Sequence, residues 1–165
     1  MNLSLASHIS IHIFVSLCVG LIVWRIWRKF FCALSFALVG GFLIDFDHFI
    51  DYYLAFGWDW KWLYFRNGYE FLKSGKVYVL FHGWEYVVIL ILLACLFKNK
   101  YLKTVFFSLA LGLFFHLVTD VIVDKTPIKS YFLTYRIKNN FENKQIINDM
   151  NYELYLKKKA WVKFE

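Results

Sequence analysis

Apolar residues are concentrated in four long runs, which short polar or aromatic segments separate. Each run approaches the roughly 20 residues that a helix needs to cross the hydrocarbon core of a bilayer. The predicted spans cover residues 9–27, 30–50, 77–97 and 101–123. Tight basic turns join the first span to the second and the third to the fourth. The pattern therefore predicts an all-α polytopic membrane protein, a four-transmembrane-helix bundle made of two helical hairpins.

Two segments lie outside the predicted spans. Residues 51–76 are crowded with Trp, Tyr and Phe, which is typical of an interfacial loop at the level of the lipid headgroups. Residues 124–165 are polar and basic, and Lys157, Lys158 and Lys159 lie among aromatic residues near their end. This tail is interpreted either as a solvated tail or surface helix, or as a contact with anionic lipid. We thus predict a transmembrane domain over residues 1–123 and a basic tail over residues 124–165.

The composition supports lipid as the solvent of this chain. Of the 165 residues 60% are apolar, and the mean hydropathy is +0.49. A soluble domain of this size cannot bury so much apolar surface. We predict an integral protein of a bacterial-type inner or plasma membrane. No Lys or Arg precedes Arg25, so the first run is expected to remain as a span rather than act as a cleaved signal.

The net charge of +7 raises the question of a nucleic-acid partner. The basic residues cluster beside apolar runs, and no nucleic-acid-binding motif is present, so membrane lipid is the predicted partner instead.

The orientation in the membrane is only weakly indicated. Lys and Arg lie at both ends of the spans, and their number near each end favours a cytoplasmic tail only slightly. The cysteines lie inside apolar runs with no disulfide spacing, which indicates small buried hydrophobic residues.

Six ionisable residues within the spans are predicted to lie at one depth. Counted from the basic turns at 1.5 Å per residue, each lies roughly 20 to 25 Å above them. Helical periodicity also places those of the first, second and fourth spans on stripes with small residues, which allow helices to approach closely in lipid. It places His82 and Glu85 on one face of the third span. The six residues are His12, Asp45, His82, Glu85, His116 and Asp120. His8 lies one turn higher than His12 and is expected to matter less.

Charged groups inside a span are costly and usually functional, so a shared polar site is predicted in the bundle. Histidine nitrogens with Asp and Glu oxygens, and no nearby Cys, suit a divalent transition metal: zinc first, with manganese or iron as alternatives. The number of candidate ligands allows one or two ions. A proton relay and plain hydrogen bonding between helices remain alternatives to metal.

Two motifs resemble a known family. Gly41-Phe-Leu-Ile-Asp45-Phe-Asp47-His48 and Gly112-Leu-Phe-Phe-His116-Leu-Val-Thr-Asp120 resemble segments of the YdjM-like membrane proteins, a group of predicted metal-dependent hydrolases. The His-x-x-x-Asp element is also distantly similar to zinc-dependent phospholipase C. The chain departs from the family at Ile44, where a proline is common. It also departs at His82-Gly-Trp-Glu85, which replaces a His-Arg…Thr-His segment and resembles a variant branch.

The resemblance implies a hydrolase acting on a phosphoester, such as a lipid headgroup, at the bilayer surface. In that interpretation the metal ligands are His12, Asp45, His82, His116 and Asp120. Glu85 is either a further ligand or the base that takes a proton from water. Asp47 and His48 complete the ligand set or orient it, and Asp47 is also a candidate catalytic residue. The alternative function is non-catalytic: a metal-stabilised membrane scaffold, or an ion or proton carrier.

Overall fold

Helices make up the regular secondary structure of the part of the chain that the computed structural model describes, residues 5–147 and 149–162. No strand occurs in these ranges, and the one extended pairing is an isolated bridge between Lys76 and Glu142. The all-α prediction is therefore confirmed. The helices are α1 Leu5–Trp27, α2 Phe30–Gly41, α3 Asp47–Phe56, α4 Trp62–Arg66, α5 Tyr69–Ser74, α6 Trp84–Leu96, α7 Lys100–Val123, α8 Leu133–Lys138, α9 Asn143–Ile146 and α10 Asp149–Trp161, with 3₁₀ turns at Leu43–Phe46 and Ile128–Tyr131.

The chain divides into two compact units. The first unit comprises Met1–Asp45 and Phe81–Lys125, and the second comprises Phe46–Leu80 and Thr126–Glu165. The first unit is a bundle of α1, α2, α6 and α7. Helix α7 packs against each of the other three, and α1 also packs against α2. The residues of the predicted tail thus group with those of the predicted interfacial loop in the second unit.

Small residues let the backbones of α2 and α7 touch inside the bundle. A Cβ atom on Gly112 would collide with the carbonyl oxygen of Ala37, and one on Gly40 would collide with the carbonyl oxygen of Leu109. Ala37 itself is fully buried. Close approach through small residues is how helices associate where no hydrophobic force drives them together.

Large apolar side chains cover the outside of the bundle. Phe14 on α1, Phe31 on α2, Leu96 on α6 and Ile122 on α7 are each more than two thirds exposed. Helices α1 and α7 are both long and apolar enough to cross a membrane, and the bent pair Phe30–Gly41 and Leu43–Phe56 makes a third span if it counts as one. Two to three of the described helices can therefore cross a bilayer.

The predicted third span is not confirmed as a helix of spanning length. Helix α6 has only 13 residues and begins at Trp84, whereas the prediction placed a helix over residues 77–97. The positive φ of Val79 and the extended conformation of Gly83 interrupt a helix before that point. Four spans are thus not confirmed.

Side chains of the second unit explain why residues 77–80 are not helical. The Asp51 carboxylate accepts hydrogen bonds from the backbone N–H groups of Tyr78, at 2.8 Å, and Val79, at 2.9 Å. The buried Arg136 guanidinium donates to the carbonyl oxygens of the same two residues, at 2.7 and 2.6 Å. These contacts satisfy the backbone polar groups that a helix would otherwise pair internally.

The predicted interfacial loop is largely helical and rich in ring contacts. Tyr52 is buried, its ring lies 4.7 Å from that of Trp60, and its hydroxyl accepts a hydrogen bond from the backbone N–H of Lys61. Trp58 and Trp62 are exposed. Rings of this kind, part buried and part exposed, are the type that settles at a membrane interface.

The contact between α2 and α7 generates a first prediction. Gly40→Ala adds a methyl group where the Leu109 backbone leaves no room. Overpacking of this kind costs about 1–3 kcal/mol, so the variant should melt earlier than wild type in detergent. Val39→Ile adds the same single carbon to an exposed neighbour on α2 and should melt like wild type. Equal melting temperatures for the two variants would contradict the close contact.

A buried carboxyl group makes the stability of the second unit depend on pH. Glu70 is 2% exposed, and its Oε2 has no hydrogen-bond partner among the described residues. Burial, with the negative charge of Asp51 adding to it, raises the pKa of Glu70 from 4.5 to about 8. The folded protein therefore holds this proton more tightly than the unfolded chain between these two values. The stabilisation of the folded state by this proton is complete below pH 4.5 and is lost as the pH rises towards 8.

The second prediction is that Glu70→Gln removes this loss of stability. Wild type should unfold at progressively lower temperature from pH 5 to pH 9, by at most about 1.4 kcal/mol of stability per pH unit. The Gln variant cannot ionise and should show a flatter profile, with its largest advantage at pH 9. Glu142→Gln, an exposed change in the same unit, should keep the wild-type slope. Parallel profiles for all three proteins would rule out this role for Glu70.

Candidate metal site

Three segments of the first unit bring four ligand-type side chains to one point. Helix α7 carries His116 and Asp120 one turn apart on the same face. Asp45 lies in the 3₁₀ turn that follows α2, and His82 lies in the non-helical residues just before α6. We call Asp45, His82, His116 and Asp120 the four-residue cluster.

Five distances between ligand atoms of the cluster lie near those of a tetrahedral metal site. His116 Nε2 lies 3.1 Å from His82 Nε2 and 3.1 Å from Asp120 Oδ2. Asp45 Oδ1 lies 3.2 Å from His82 Nε2 and 3.4 Å from His116 Nε2, and His82 Nε2 lies 3.8 Å from Asp120 Oδ2. Ligands bound at 2.0–2.1 Å in a tetrahedron lie about 3.3–3.4 Å from one another. The buried His/Asp cluster can therefore hold a metal ion.

The backbone fixes which nitrogen of His116 is available. His116 Nδ1 lies 3.0 Å from the carbonyl oxygen of Gly41. A carbonyl only accepts hydrogen bonds, so Nδ1 is the donor, and in the neutral ring Nε2 carries the lone pair. Gly41 can lie this deep because it lacks a Cβ atom, which would collide with the Ser16 hydroxyl. A ligand histidine commonly has its second nitrogen held in this way.

Burial removes most of the cluster from water, which makes its negative charges costly unless a partner offsets them. His82, His116 and Asp120 are at most 4% exposed, whereas a quarter of the Asp45 side chain is exposed. Carboxylates removed from water need a positive charge or hydrogen bonds nearby to offset the loss of hydration. Two acidic groups beside two imidazoles present that need at one place, and a divalent cation meets it.

Two more histidines lie beside the cluster, and one of them was not expected there. His12 Nε2 lies 3.1 Å from Asp120 Oδ1, and the His12 ring stacks on that of His116 at 4.0 Å between centroids. His8 Nε2 lies 2.7 Å from His12 Nε2 and 3.5 Å from Asp120 Oδ1. We call His8, His12 and Asp120 the His8 cluster. The sequence signal for His8 is the His-x-x-x-His spacing, which repeats the spacing of His116 and Asp120.

Within the first unit, the structure brings together five of the seven predicted ligands: His12, Asp45, His82, His116 and Asp120. Glu85 lies partly buried in the first turn of α6 and is not in any converging group of ligand atoms among the described residues. The shared helical face predicted for His82 and Glu85 is wrong, because His82 precedes α6.

The two remaining predicted site residues, Asp47 and His48, belong to the second unit. Both lie in the first turn of α3, where Asp47 is fully buried and the ring of His48 lies 5.9 Å from that of Phe71. Their role, like the ligand role of the other residues, stays a prediction.

No family model, no curated protein and no solved structure matches the chain. The resemblance to the YdjM-like proteins therefore depends on the motifs around Asp45 and His116.

The geometry generates a third prediction, on metal content. Protein purified in detergent should carry a transition metal, and His116→Ala or Asp45→Asn should weaken its binding at least about 10-fold, because each change removes one ligand of four. The same variants should lose the gain in melting temperature that metal gives wild type. Asp59→Asn removes an exposed carboxylate that is paired with Lys61 and serves as the matched control. Full metal content in both cluster variants would reject the assigned ligands.

Proposed function

We propose that this protein is a membrane-embedded metal-dependent hydrolase that acts on a phosphoester, such as a lipid headgroup, at the bilayer surface. The observation that carries the proposal is the convergence of ligand atoms from two histidines and two aspartates inside a bundle whose exterior is apolar. The resemblance of the two motifs to the YdjM-like hydrolases supports the same chemistry. We infer an integral protein of a bacterial-type inner or plasma membrane.

The ligand set supports zinc first, with manganese or iron as alternatives. Two imidazole nitrogens, which are borderline ligands, together with two carboxylate oxygens suit these metals, whereas a site for magnesium or calcium would consist of oxygens. The residues that would hold the ion are those of the four-residue cluster. When bound, such an ion supplies a Lewis acid for a phosphoryl oxygen and lowers the pKa of a water molecule to about 7.

The chain itself positions the ligands and handles the proton. The Gly41 carbonyl holds the His116 ring in one orientation, and the carboxylates of Asp45 and Asp120 offset positive charge. Glu85 is the candidate base. It lies three residues after His82 and is partly buried, and it is outside the converging ligand groups of the described residues, which favours a proton acceptor over a ligand.

The apolar exterior of the bundle favours a substrate that arrives from lipid. Exposed large side chains such as Phe14 on α1 and Ile122 on α7 support contact between lipid and the helices that carry His12 and His116. A lipid ester has its phosphate at the membrane surface, where both water and the enzyme can reach it. A soluble phosphoester would undergo the same metal chemistry, but it would not be concentrated in the membrane beside the protein.

The fourth prediction separates the two roles of Glu85. If Glu85 accepts the proton, Glu85→Gln should keep wild-type metal content and melting temperature but lose turnover by roughly 10²- to 10⁴-fold. Turnover is measured with phosphodiester and phospholipid substrates in mixed micelles supplied with zinc or manganese. Glu142→Gln, at an exposed site in the second unit, is the control and should retain full turnover.

Two other results would change the interpretation. A parallel loss of metal and turnover in Glu85→Gln would make Glu85 a ligand rather than a base. Metal-replete wild-type protein that is inactive on every phosphoester and acyl ester tested would reject the hydrolase. A metal-stabilised scaffold, or an ion or proton carrier, would then be the better account.

A further inference from the structure

The carboxylate of Asp120 faces two different groups of histidines with its two oxygens. Its Oδ2 lies 3.1 Å from His116 Nε2 and 3.8 Å from His82 Nε2. Its Oδ1 lies 3.1 Å from His12 Nε2 and 3.5 Å from His8 Nε2. One side chain thus belongs to both the four-residue cluster and the His8 cluster.

We propose that the first unit binds two metal ions that share the Asp120 carboxylate, the second ion being held by His8, His12 and Asp120 Oδ1. This inference rests on the metal site of the proposed function and assigns it a second ion and a further ligand. The three ligand atoms lie 2.7 to 3.5 Å from one another, and the distances within the four-residue cluster run from 3.1 to 3.8 Å.

The polar atoms of the His8 cluster point to a cation rather than to internal hydrogen bonding. Two facing Nε2 atoms at 2.7 Å can share one proton at most. Asp120 Oδ1 is buried and makes no hydrogen bond of acceptable geometry within the described residues. Because the converging atoms are mainly lone-pair donors, a positive ion satisfies all three together. Three protein ligands also leave the fourth position open for water or substrate, as catalytic zinc sites do.

The test measures metal per chain in the full-length protein, purified in detergent and loaded with Zn²⁺ or Mn²⁺. Wild type should bind two ions, and both His8→Ala and His8→Gln should bind one. With Mn²⁺, wild type should show the electron paramagnetic resonance spectrum of a coupled pair, and the variants should show the six-line spectrum of an isolated ion. Ser10→Ala changes an exposed residue half a turn away on α1 and should behave as wild type.

The outcomes separate this inference from the proposed function. One ion in wild type, or two ions in both His8 variants, would overturn the shared site even if the protein hydrolyses phosphoesters. Loss of both ions from His8→Gln, in protein that melts as a folded chain, would overturn it too, because it would indicate a single site. Two ions in a protein that hydrolyses no phosphoester would keep the shared site and reject the hydrolase.

Discussion

The close contact between the backbones of α2 and α7 is the constraint on which the site depends. Gly40 and Gly112 allow it, because a Cβ atom on either would strike the backbone of the opposite helix. At this separation the carbonyl oxygen of Gly41 reaches His116 Nδ1 at 3.0 Å. The ring is thereby turned so that Nε2 faces Asp45, His82 and Asp120. A helix pair held apart by ordinary side chains could not make that bond, and the histidine would lose its orientation.

The same contact explains why the bundle has its polar groups inside and its large apolar groups outside. The interior of the first unit consists mainly of small residues and ionisable residues, while Phe14, Phe31 and Leu96 face outward. In water this distribution would expose a large apolar surface with little gain from burial. In lipid the exterior needs no burial, and the interior polar groups hold the helices together. The arrangement of side chains and the two to three spanning helices are therefore consistent with one another.

Much of the site follows from local sequence, and the rest does not. Helical periodicity placed His12, Asp45, His116 and Asp120 on inward stripes, because each lies in or directly after a regular helix. The prediction that His82 lies within a helix was wrong, because backbone groups of residues 77–80 pair instead with Asp51 and Arg136. Arg136 lies 58 residues along the chain from Tyr78, so no local pattern could reveal this pairing. The prediction that His8 matters less compared residues only by their depth in whole helical turns. A histidine one turn away still reaches the carboxylate of Asp120.

The density of ionisable groups ties the stability of the first unit to whatever occupies its interior. Four imidazoles and the carboxylates of Asp45 and Asp120 meet within a few ångströms, most of them removed from water. Without a cation, protons shared with the histidines must offset the negative charge of the carboxylates. Two histidine nitrogens 2.7 Å apart leave few positions for these protons. A bound ion replaces that constraint with coordination, and its binding free energy becomes part of the folding free energy. The bundle therefore has a thermodynamic reason to bind metal, separate from any reaction, and the glycines that bring the helices together determine where an ion would bind.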